Sequence, residues 1–160
     1  MSAAAAVIHG LEARGWTLGV AESLTGGAVS ADLVSVPGAS AVLLGGVVAY
    51  ATPVKHTLLG VDAELLAAYG PVHPEVALQM ASGIRSAVAV DGRPADAGVS
   101  TTGIAGPDSP DGQPVGTVHV AAVTPEGALC RSFRFVGDRP AIRRRSVDAA
   151  LATLLELIGE

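Results

Sequence analysis

The chain is 160 residues long, a length that one domain around a single core accounts for without a second. Its hydrophobic residues are mostly Ala, Val and Leu, with only two Phe, two Tyr and one Trp, and its formal charge is −5; it offers neither the basic stripe nor the aromatic platforms that nucleic acids require. A single cysteine, Cys130, excludes an intramolecular disulfide, and the four His are too scattered to give a metal-ligand spacing.

The opening residues, MSAAAAVIHGLEARGW, have no basic n-region, and His9, Gly10 and Glu12 interrupt their apolar run. Neither a signal peptide nor a membrane span is expected, and the cytoplasm is the expected compartment. Val7 and Leu11, four apart, predict an amphipathic helix over about residues 2–14 that stops at Gly15. A short strand is predicted from Thr17 to Ala21. SLTGGAVSADLVSVPG then leaves it through Ser23 and Gly26-Gly27 and continues as a helix ending at Pro37-Gly38. GGVVAY (45–50) reads as a buried strand, and Thr52-Pro53 as an N-cap with proline at the first helical position, opening a helix that contains Lys55. Asp62 caps a further short helix through Tyr69. His73-Pro74 opens another, with Ala77, Met80, Ala81, Ile84 and Val88 on one face, and Pro94 closes that stretch. Asp96 to Thr102 reads as a strand running into the turn GIAGPDSPDGQP. Residues 115–123 and 129–136 read as a hairpin on one edge, separated by Pro125-Glu126-Gly127, and a long helix starts at about Asp138. The sum is a single α/β or α+β sandwich of helices packed on a mixed sheet.

Four segments could carry chemistry. AESLTGG (21–27) puts Ser23 at the exit of a strand, with two glycines that allow a tight turn, and N–H groups at the start of the next helix could hold an oxyanion or a phosphate. A serine N-cap with a Gly-rich turn would look the same. Lys55 is the only lysine among ten basic residues and falls near the start of a helix, where the dipole and partial burial both disfavour its ammonium form. A neutral amine there could deprotonate Ser23 directly or through Tyr50, although an ordinary solvated lysine fits the local sequence equally well. TTGIAGPDSPDG (101–112) ends a strand in a Gly/Pro loop, where an open sheet binds ligands, and Thr102 could donate to a substrate; a plain long turn is the alternative. Asp108 and Asp111 lack a calcium-loop spacing. In GDRPAIRRR (137–145), Arg139 and Arg143 lie one turn apart and could hold a phosphate monoester, or simply form a solvated basic face. His73 reads as a capping residue.

Taken together, these segments resemble the C-terminal domain of the competence/damage-inducible protein A (CinA) family, whose stand-alone members are nicotinamide-nucleotide amidases. The resemblance is carried by AESLTGG, by GGVVAY followed by Lys55 and LLGV (58–61), by GPVHPE (70–75), TGIAGPD (102–108), PVGTVHVA (114–121) and GDR (137–139). It implies hydrolysis of the carboxamide of nicotinamide mononucleotide to nicotinate mononucleotide and ammonia, in pyridine-nucleotide salvage, without metal or organic cofactor. It also implies a homodimer with a small-molecule substrate, while composition and the opening residues lead to an expectation of no nucleic-acid or membrane partner. Position by position, Ser23 matches the nucleophile, Tyr50 and Lys55 the activating pair, Thr102 a substrate-contacting threonine, Ser40 a supporting serine and Arg139 an active-site arginine. Thr25, Gly26, Gly27, Gly103 and Arg143 complete the expected substrate-binding set. Leu24 departs from the family's common cysteine, and Ala51-Thr52-Pro53 from its common Ser-Asn-Glu turn. The longer members also carry an N-terminal domain linked to pyrophosphatase activity, and that activity is not carried over.

Two other readings compete. A nicotinamide-dependent reductase also uses a neighbouring Tyr and Lys, but here they are five apart rather than four, and no G-x-G-x-x-G follows the first strand. A non-catalytic nucleotide- or partner-binding domain on the same fold would bind ligand without releasing ammonia.

Overall fold

The computed structural model describes all residues from Met1 to Glu160. Ser2 accepts the Ala5 N–H and starts α1 (Ala3–Arg14), which Gly15 ends in the left-handed conformation. The chain then builds β1 (Leu18–Glu22), α2 (Ala28–Val34), a single 3₁₀ turn at Ala39–Ala41, β2 (Leu43–Val48), α3 (Thr52–Leu59), α4 (Ala63–Tyr69) and α5 (Pro74–Ala87). β3 (Ala97–Gly103), the hairpin of β4 (Thr117–Thr124) and β5 (Gly127–Arg134), and the long α6 (Arg139–Ile158) follow. Asp62, His73 and Asp138 each cap the helix expected of them, by accepting an N–H from its first turn.

The five strands lie in the order β2-β1-β3-β4-β5. β1 runs parallel to both β2 and β3, whereas β4 and β5 are antiparallel additions, so the sheet is mixed. Three parallel strands therefore deliver their C-terminal ends to one edge of the sheet, and the loops that follow Glu22, Val48 and Gly103 gather there.

Helices cover both faces, making an α/β fold. Leu18 and Val20 of β1, Val99 of β3 and Val118, Val120 and Ala122 of β4 pack with α1, α2 and α6 in the main aliphatic core. The alternate residues face α5, which α3 flanks with α4 packed on α3, around Ala21, Leu59, Met80 and Ile84. Period-two alternation sorts these residues between the layers. Gly98 sits where α5 presses hardest on the sheet: a Cβ there would stand 1.9 Å from the Ala81 carbonyl oxygen.

Two local expectations are corrected. Residues 45–50 were expected to form a buried strand, but β2 is an edge strand with only β1 beside it, and Val48 is 48% exposed. Its apolar composition reflects the one neighbour it has. Thr52 is the first residue of α3, and the cap is Ala51, which has no side-chain hydrogen bond to offer.

Candidate active site

Ser23 follows the last residue of β1 and is 8% exposed. Its N–H donates to Thr101 Oγ1 at 3.3 Å, and Thr101 Oγ1 is also 2.8 Å from Thr25 Oγ1, tying the turn to the central strand. The Gly26 N–H donates to the Ser23 carbonyl at 3.1 Å and closes the turn, after which Gly26 and Gly27 take φ of 60° and 103°. Such values favour glycine, which is why two are needed here.

Glu22 was not singled out by the sequence, yet it is the most constrained carboxylate near the turn. At 1% exposure it accepts the Val29 and Ser30 N–H groups at 2.9 and 3.0 Å and the Ser30 hydroxyl at 2.8 Å. It thereby supplies the cap that Gly27 cannot give α2. The expectation that the start of α2 holds an oxyanion or phosphate is overturned, because Glu22 already occupies those donors. A clue lay in the sequence: a lone carboxylate closing an apolar strand just before a helix with no capping side chain of its own.

Lys55 reaches Ser23 from α3. Its Nζ lies 3.1 Å from Ser23 Oγ, 2.6 Å from the Ala49 carbonyl and 3.5 Å from the Tyr50 carbonyl. The residue is 1% exposed, and burial lowers its pKa from 10.5 to about 8. No carboxylate lies within ion-pair distance to hold the ammonium. Near neutrality a fraction of the amine is therefore unprotonated, with its lone pair free to accept the Ser23 proton.

A cleft of about 530 Å³ opens over this pair and is lined by Ser23, Tyr50, Lys55, Thr102, Gly103 and Arg139 among others. The Tyr50 hydroxyl accepts from Arg139 Nη2 at 3.2 Å, while Arg139 Nη1 donates to the Gly106 carbonyl at 2.7 Å. Tyr50 as a whole is 61% exposed. The Tyr50 hydroxyl bonds to neither Ser23 nor Lys55, so the relay through Tyr50 is corrected to a direct Lys55–Ser23 contact. Thr102 donates its hydroxyl to the Pro71 carbonyl at 2.7 Å. Asp108 and Asp111 also line the cleft.

Other expected site residues lie elsewhere. Thr25 is fully buried against Thr101, and Gly26 and Gly27 shape the turn without lining the cleft. Ser40 is exposed and lines a separate depression with Val34 and Leu44, because the chain turns away from the site before β2. Arg143 points at the back of the turn: its Nε donates to the Leu24 carbonyl at 2.9 Å and its Nη2 to the Thr25 carbonyl at 3.2 Å. One helical turn carries Arg139 to the cleft and Arg143 away from it.

The sequence profile described as the CinA C-terminal domain matches residues 1–158. The chain belongs to the CinA family. A CinA-like protein from Frankia casuarinae is 47% identical over 91% of this chain, and one from Anaeromyxobacter sp. (strain K) is 48% identical over 92%. The chain spans about a third of the length of these CinA relatives, 33% and 35% respectively. A solved CinA superfamily protein from Klebsiella pneumoniae superposes with a TM-score of 0.90 at 34% identity, covering 98% of this chain and 96% of its own. Another from Escherichia coli gives 0.89 at 31% identity, covering 97% and 88%. As for membranes, no helix of this CinA domain is long and apolar enough to cross one.

Proposed function

We propose that the cleft is the active site of a serine amidohydrolase that converts nicotinamide mononucleotide to nicotinate mononucleotide and ammonia. The observation that carries this reading is the Lys55 Nζ–Ser23 Oγ contact of 3.1 Å, made by a buried amine whose pKa lies near 8, on the floor of an open cleft. A base within hydrogen-bond reach and poised near the working pH is what activation of a hydroxyl demands. The choice of a nicotinamide nucleotide follows from the likeness of the site motifs to those of stand-alone CinA-type amidases.

In the proposed reaction Ser23 Oγ bonds to the carboxamide carbon while its proton passes to Lys55 Nζ and the carbonyl electron pair moves onto oxygen. The tetrahedral species collapses, the C–N bond breaks, and Lys55 returns the proton to the departing nitrogen as ammonia. Water then attacks the acyl ester while Lys55 accepts its proton; the ester C–O bond breaks, Lys55 returns the proton to Ser23 Oγ, and the acid product loses its own proton to solvent as the carboxylate. In this scheme Arg139, held between Tyr50 and the Gly106 carbonyl, binds the ribose phosphate, so that contacts remote from the amide orient it.

The test is ammonia release from nicotinamide mononucleotide by the wild-type chain beside a folded Ser23→Ala variant. Release that vanishes in the variant is expected; no release from the wild type would remove the amidase reading. Nicotinamide riboside, which lacks the phosphate, should react much more slowly, and equal efficiency would dismiss Arg139 as the anchor.

A further inference from the structure

A misplacement of about 1 Å between reacting groups can cost about 10²-fold in rate. What fixes Ser23 Oγ against Lys55 Nζ therefore bears on turnover as much as the amine's pKa does. Lys55 is located by the Ala49 carbonyl, 2.6 Å from its Nζ. The Ala49 N–H in turn donates to the Glu22 backbone carbonyl at 2.8 Å. That carbonyl belongs to the peptide unit from which Ser23 hangs. A ring of contacts thus runs from Ser23 Oγ through Lys55 and Ala49 back to the Glu22–Ser23 peptide.

The ring holds that peptide by its carbonyl side alone. In a planar trans peptide the carbonyl and the following N–H point in opposite directions, so a hold on the N–H is what stops the unit tilting about the first. The register of β1 with β3 ends at Ala21 and Ser100, and one residue further along β3 a side chain takes over: the Thr101 hydroxyl accepts the Ser23 N–H at 3.3 Å. The same oxygen lies 2.8 Å from Thr25 Oγ1 and so bridges two residues of the turn. Thr101 is itself well anchored, because its backbone pairs with Val120 of β4 inside the sheet and a β-branched side chain is stiff about χ1. It is 1% exposed and does not line the cleft, so any influence it has on the reaction passes through Ser23.

We infer that Thr101 is a positioning residue for the nucleophile. Its hydroxyl grips the Ser23 N–H from β3 while the Ala49 N–H grips the Glu22 carbonyl from the end of β2, and together they set the distance at which Ser23 Oγ meets Lys55 Nζ. The inference rests on the reading of Ser23 as nucleophile and Lys55 as its base given above, and it holds for whatever group Ser23 attacks.

The experiment compares the wild-type chain with Thr101→Val, which keeps the shape and loses the hydroxyl, and Thr101→Ser, which keeps the hydroxyl. Thr101→Val should lower kcat for ammonia release by about tenfold with KM changed less than about twofold, a loss short of that for a 1 Å misplacement because the Ala49 contact remains. Thr101→Ser should bring kcat back to within about threefold of the wild type. A fluorophosphonate reads the same geometry without an amide: Ser23 Oγ bonds to phosphorus, fluoride leaves, and Lys55 takes the serine proton. Its rate should fall in Thr101→Val and recover in Thr101→Ser in parallel with kcat. A Thr101→Val chain that melts earlier but keeps wild-type kcat and phosphonylation overturns the inference and leaves the hydroxyl a part of the fold only. So does a raised KM with kcat intact, or a Thr101→Ser chain as slow as Thr101→Val. Phosphonylation that depends on Thr101, in a chain that releases no ammonia from nicotinamide mononucleotide, would sink the amidase reading and leave the positioning role standing. A wild type inert to both reagents would remove Ser23 as nucleophile and the inference with it. Should Thr101→Val fail to fold by circular dichroism, Thr101→Ala takes its place, and a wild-type kcat in it counts against the inference.

Discussion

Two ionisable side chains, each 1% exposed, flank Ser23, and they are treated in opposite ways. Glu22 meets two backbone N–H groups and a hydroxyl, a set of donors that answers a carboxylate's lone pairs. Lys55 meets one hydroxyl and two carbonyls, and burial pushes its pKa down to about 8. A buried group whose partners are complete becomes part of the frame. One left with neutral partners is suited to the reagent's part in the proposed reaction, because its proton is held loosely enough to be exchanged.

Replacing each of the two should separate these roles. Lys55→Met should reduce turnover by about 10² or more, the usual scale of a general base, while circular dichroism shows a folded chain. Turnover near the wild-type value would take Lys55 out of the chemistry. Glu22→Ala should act on stability: it strands the Val29 and Ser30 N–H groups and should cost about 3 kcal/mol, lowering Tm by roughly 10 °C. A thermal scan with no shift would deny Glu22 its place in the frame.

The lysine should also leave a mark on stability. Between pH 8 and 10.5 an unfolded chain keeps a proton that the folded chain has lost from Lys55, so stability should rise with pH across that window by about 3 kcal/mol. Urea midpoints measured over this range should rise more steeply in the wild type than in Lys55→Met, and parallel curves would mean that burial does not perturb the amine. The smallest effect belongs to Ser40→Ala, where stability should change by less than about 0.5 kcal/mol and kinetics not at all, because the residue is exposed and away from the cleft. A loss of activity there would join its depression to the site.

Much of this was legible in the sequence because it is local. The helix boundaries at Gly15, Asp62, His73 and Asp138 follow from caps written in neighbouring residues. Ser23 was visible at a strand exit before two glycines, and Lys55 through its solitude and its helix. What escaped notice depends on contacts distant in the chain. That β2 is an edge follows only from the order of the strands. That Arg143 grips Leu24 and Thr25 from 118 or more positions away depends on how α6 crosses α2. Ser40 and Tyr50 carried matching residue types, but motif matching is silent about which way a loop turns or which partner a hydroxyl chooses.

Thr101 and Thr102 point to opposite faces of β3, one bonded to the turn that carries Ser23 and the other to the Pro71 carbonyl in the loop before α5. The strand acts as a rivet through both layers of the molecule. The Ser23 amide is tied to the central strand by a Thr101 hydroxyl that is only 1% exposed, which shields it from solvent. Its exchange with deuterated solvent should therefore keep pace with the slowest amides of β1 and β3, and heat should extinguish the site at the same temperature at which the whole domain melts.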